Sequence, residues 1–160
     1  MRLVFPLLAF AIFMGLLPLA GNQAAVSLPS SQVMQAAVAG ETFVAYTQAL
    51  AAFQRANPSF TGSATSSQLN ALGYQFSSGF LGTVGNQITA AGTAARVITT
   101  YGSLPAGALG SIVTLTVGDA TFGTSTNGTT WTSVAPGASA TALAVTVPAG
   151  TTVSVVQIGT

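Results

Sequence analysis

Glu41 and Asp119 are the only carboxylates in this 160-residue chain, and Arg2, Arg55 and Arg96 are its only cations. Two carboxylates are the minimum for acid–base hydrolysis of a glycosidic type. These two fall on different predicted elements, so that chemistry would need a fold that happens to join them. The chain has no His, Cys or Lys. Their absence removes the usual nucleophile–base pairs, a lysine base and the common ligands of a zinc site. Two acids make a thin Ca²⁺ site, and no Gly-Lys-Ser/Thr phosphate loop occurs. The expectation is a non-enzymatic protein with no catalytic residue, no metal and no cofactor.

A net charge of +1 leaves no electrostatic footprint for nucleic acid, and no small-molecule substrate is expected. A surface so poor in charge is coated with Ser, Thr, Asn, Gln and Gly and has little protection against self-association. Contact with other proteins is the chemistry left open. Two residues are candidates for it. Glu41 follows Gly40 in the middle of a predicted helix, where it either pairs with a partner or belongs to a solvated face. Trp131 is the only tryptophan and either anchors an interface or packs inward on the core. Arg55 falls in the last turn of the same helix, where a cation suits the helix dipole. Arg96 opens a strand, with Asp119 as its candidate partner.

The elements that must position these residues follow from punctuation and periodicity. Leu3 to Ala20 carry no charge, and about 18 apolar residues is the length that crosses a ~30 Å hydrocarbon core. Arg2 favours an N-in, C-out orientation. Residues 1–20 are therefore expected to be a transmembrane anchor or an uncleaved signal, in a single-pass protein of a bacterial inner membrane. A cleaved signal peptide competes with this reading. A prepilin leader fails, because Gly15-Leu16 would place Ala20 where a glutamate is required. Residues 21–30 read as a linker and residues 31–160 as one periplasmic domain. The absence of cysteine rules out a disulfide framework.

Ser30 or Ser31 can cap a helix, and apolar or small residues recur at helical spacing from Val33 to Phe53. The first half of that face is small (Ala36, Ala37, Gly40), which permits close backbone approach. The second half is large (Phe43, Tyr46, Leu50, Phe53). Asn57-Pro58 ends the helix. A short helix is predicted from Thr65 to Leu72, stopped by Gly73. Residues 74–92 resist assignment. Strands are predicted over 96–101, 112–117, 121–125, 129–133 and 143–147, and a last one from Val153 to Ile158. Asn127-Gly128 between β-formers predicts a type I′ hairpin turn, a stronger reading than the Asn127-Gly128-Thr129 glycosylation sequon. The fold class is α+β, with a long amphipathic helix followed by an antiparallel sheet of short strands.

Phe43 to Pro58, closing at Thr61-Gly62, resembles a signature of PilM-type pilus-biogenesis proteins of thin type IVb pili, found in conjugative and related systems. The run from Val145 to Val155 is similar to their closing strand pair. An unrelated actin-like protein shares the PilM name; this chain lacks the nucleotide-binding pattern of that fold. The resemblance implies a membrane-anchored accessory of pilus assembly or conjugation, with other pilus-assembly or pilin proteins and the inner membrane as partners. It carries no catalytic residues. Phe43, Tyr46, Phe53, Asn57, Pro58 and Gly62 transfer as packing and helix-ending positions. The competing expectations are a pilin-like filament subunit, which a helix-then-sheet plan would suit, and a signal-cleaved exported binding module or adhesin.

Overall fold

Ser30 opens the long helix. Its Oγ accepts from the Val33 N–H at 3.4 Å, and α1 then runs over Ser31–Ala56. The computed structural model describes residues 30–92 and 94–159. Asn57 closes α1 twice over, its backbone N–H reaching Phe53 O and Gln54 O and its Nδ2 donating to Phe53 O at 2.9 Å. Pro58 cannot continue the helix. The next helix, α2 (Ser66–Ala71), begins on a reciprocal Thr65–Gln68 capping box. It stops at Gly73, whose φ of +89° suits glycine.

The stretch that resists assignment from sequence holds the one-turn helix α3 (Ser78–Leu81) and the strand β1 (Val84–Ala90). After it come β2 (Arg96–Gly102), α4 (Ala108–Leu115), β3 (Phe122–Ser125), β4 (Thr130–Ser133), β5 (Thr141–Ala142) and β6 (Thr152–Ile158). The six strands form one antiparallel sheet in the order β1-β2-β6-β3-β4-β5. The fold is α+β, with one long helix laid on that sheet.

Register decides which side chains meet the helix. Ile88, Ile98 and Val156 stand opposite one another on β1, β2 and β6, so they share a face. They pack with Tyr46, Leu50 and Phe53 of α1. Asn86, on the same face, ties this region together. It donates to Tyr46 Oη at 2.8 Å and to Ala64 O at 3.0 Å, and accepts from Ala64 N at 2.7 Å. Burial pushes the Tyr46 phenol above its ordinary value of 10.0, opposed in part by the Asn86 donation and reinforced by Tyr101. Farther along α1, Phe43 and Val44 pack with Ile112 and Phe122. Gly40 makes that crossing possible: a Cβ there would lie 3.0 Å from Ala108 O and 3.3 Å from Ile112 Cγ1.

Four expectations are corrected. Ile112 to Val117 is not a strand. Ala108 and Ile112, one helical turn apart, are the two positions with no exposure, while Leu115 and Val117 of the apparent alternation are 52% and 93% exposed. Helical spacing toward Gly40 therefore overrides the alternation. Residues 143–147 do not form a strand either; β5 covers only Thr141–Ala142. Val147 is buried and its N–H reaches Gly128 O at 2.9 Å. The Asn127-Gly128 turn is not type I′, because Val117 is the only non-glycine with positive φ among the described residues. Instead Asn127 Oδ1 closes a wider turn, accepting from the Thr129 and Thr130 N–H groups at 3.0 and 2.9 Å.

The fourth correction concerns location. Residues 1–20, expected to be a membrane anchor, lie outside the described residues. No helix among those described is long and apolar enough to cross a membrane. The 26-residue α1 is the longest helix among the described residues, and Glu41, Arg55 and its many polar positions make it a helix for one apolar sheet face, not for lipid. The single-pass inner-membrane placement is therefore not supported.

Candidate protein-interaction site

The first half of α1 rises past the core. Val33, Met34 and Val38 are 58%, 54% and 62% exposed, although Val38 lies only five residues before the fully buried Phe43. Met34 and Val38 lie one helical turn apart on one face. Beside them runs an open groove of about 840 Å³. One wall is α1, with Met34, Val38 and Thr42; the other is Phe80 of α3 with Leu104 and Pro105 of the β2–α4 connection. None of its lining residues is charged. Ser77 caps α3 through its Oγ, which accepts from Phe80 N at 3.3 Å, and this orients Phe80 between the groove and Tyr46. The Tyr46 and Phe80 rings meet edge to face with centroids 5.7 Å apart.

Glu41 and Trp131 are not brought together. Glu41 is exposed and lines a separate shallow hollow with Gly107, Ser111 and Thr114 of the α4 region. Asp119 does not line that hollow; its Oδ1 accepts from the Thr121 N–H at 2.9 Å in the turn before β3. Trp131 is 9% exposed and faces away from α1, stacked over Gly123, where a Cβ would come within 2.8 Å of its ring. Ser125, its cross-strand neighbour, shares that face.

The Arg96–Asp119 pairing is not formed. Arg96 Nη1 donates instead to Ala95 O at 2.9 Å. Arg96 and Arg55 line one cavity at the far end of α1. Among the described residues no group of three or more acidic, His or Cys side chains gathers to hold a metal.

The signature positions of the helix prove to be architectural. Phe43, Tyr46 and Phe53 are 0%, 3% and 4% exposed. Gly62, with φ of +109°, exchanges both backbone bonds with Ile88 and so covers the free edge of β1. Phe80 and Leu104 were the groove residues that sequence reading missed. Their signal was the Ser77 cap and the Pro105-Ala106-Gly107 turn, which place a helix start on each side of the groove.

A model of the PilM family matches residues 9–155. A solved structure of a protein PilM from Escherichia coli B7A is similar at a TM-score of 0.56 and 14% identity, over 82% of this chain and 98% of that one. At that identity the likeness is one of fold. No curated protein matches the chain.

Proposed function

The chain belongs to the PilM family of thin-pilus proteins, and from that premise we propose that it is a non-enzymatic accessory of type IVb pilus assembly that works by protein–protein contact. The observation that supports this reading is the exposed pair Met34 and Val38 on the wall of an uncharged groove. A contiguous apolar patch left in water is a feature of a surface with a partner. The partner that fits is a pilus component presenting an uncharged apolar helix face. A charged side chain buried there would meet no counter-charge, and an unpaired buried charge costs several kcal/mol, on the order of 3–5.

The test is a strain lacking this chain, complemented by the native sequence or by Val38→Glu. The native sequence is expected to restore surface pili. Val38→Glu is expected to keep the melting temperature and leave pilus number at the deletion level. Normal piliation in the deletion strain would end the proposed role. Full rescue by Val38→Glu would move the contact away from the groove.

A further inference from the structure

The opposite end of α1 carries a second and chemically different feature. A cavity of about 220 Å³ is lined by Gln54, Arg55, Pro58, Arg96, Ile158 and Gly159, among others. Arg55 and Arg96 are the only cations among the described residues, and both face this one space. Neither acid lines it. Glu41 is about 20 Å up the helix at about 1.5 Å per residue.

Two residues of the cavity wall each carry a buried atom with no partner among the described residues: the acceptor Gln54 Oε1 and the donor Arg96 Nε. Gln54 is 1% exposed. Its Nε2 donates to Asn57 O and Pro58 O, each at 3.1 Å. Those bonds fix which way the amide points and turn its oxygen away from the chain end. Arg96 is likewise held by one side, through Nη1 to Ala95 O. That leaves the Nε–Nη2 edge, the edge that grips a carboxylate with two parallel bonds.

A buried orphan acceptor beside a buried orphan donor asks for a ligand with both functions. Arg55 suits the dipole of the helix it ends, but Arg96 belongs to a strand, so the dipole does not account for the pair. We propose that this cavity binds the C-terminal residue of a polypeptide: the carboxylate on Arg96, with Arg55 adding charge, and that residue's own N–H donating to Gln54 Oε1. The occupant is the C-terminal end of a partner protein, whose negative charge complements the two arginines.

The experiment follows the Arg Nε–H and Gln side-chain signals of the full chain by ¹H–¹⁵N NMR while N-acetyl-alanine, its amide or acetate is added. N-acetyl-alanine is expected to shift both the Arg96 Nε–H and the Gln54 NH₂ signals to saturation. The amide is expected to shift neither, and acetate to bind about tenfold more weakly for lack of the N–H. Arg55→Gln, at an exposed position, is expected to weaken binding severalfold without changing the melting temperature. Arg96→Lys, which keeps the charge but loses the fork, is expected to weaken it about tenfold. Equal shifts from acid and amide, or no shift with either, would overturn the proposal. These results are independent of pilus number, so they stand apart from the role proposed above.

Discussion

The two ends of α1 share Ala, Val and Gln and have opposite fates. From Ser31 to Ala39 the helix is exposed on most of its surface, with Ala36 its only buried residue. From Phe43 to Gln54 almost every turn is sealed against the sheet or α4, and the exit is tied by Asn57 and Gln54. Local propensity does not separate the halves, since Ala, Val and Gln populate both. What separates them is coverage. β2 and β6 lie under the second half, while the first half overhangs them, meeting the start of α4 at Ala36 and the groove on its other side. The first end is apolar, open and uncharged; the second is polar, closed and cationic. A single helix can thus be structural at one end and available at the other.

Substitutions can break this comparison. The largest effect is expected at the sealed half. Phe43→Ala or Phe53→Ala removes a ring that is 0% or 4% exposed, at a cost of about 3–5 kcal/mol in denaturant unfolding. Unchanged stability in both would mean that the wrong face of α1 has been placed inward. Next comes the tie at the exit. Asn57→Ala deletes the Nδ2 bond to Phe53 O and is expected to cost about 1 kcal/mol, read as a lower unfolding midpoint at constant slope. Tyr46 gives the sealed half a pH axis. Its phenol titrates above 10.0 when folded, so the unfolded chain loses that proton first. Stability is expected to hold up to about pH 10 and to fall as pH rises from there toward the folded value. Tyr46→Phe should flatten that fall in chemical denaturation at high pH. The smallest effect belongs to the open half. Val38→Ser, at a residue 62% exposed, is expected to change stability by no more than about 0.5 kcal/mol. A loss as large as that of Phe43→Ala would show that the open end is core after all.

The sealed half was legible because its signals are local. A serine cap, helical spacing and Asn-Pro gave α1 its bounds, and Arg96 to Tyr101 and Val153 to Ile158 are β-branched enough to be found as strands. The rest depended on contacts that no local pattern contains. Ile112 to Val117 satisfies an alternating pattern as well as a helical one, and only the close approach of Gly40 to Ala108 and Ile112 decides between them. Val147 is buried without a ladder, as an extended segment held by Gly128. The open groove joins α1 to a one-turn helix too short to stand out. The cationic cavity joins Arg55 to Arg96, residues on different elements whose separate readings, a dipole cation and a partner for Asp119, each pointed elsewhere.

The strand order has a consequence for how the molecule is made. β6 is the last described element, yet it lies between β2 and β3 and pairs with both. Without it, β1–β2 and β3–β4–β5 share no ladder and α1 has no complete floor. Pairing Gly102 with Thr152 also closes a long loop. The sheet is therefore one body only through β6, and the strand most distant in sequence from α1 is the one that joins the two halves of its floor.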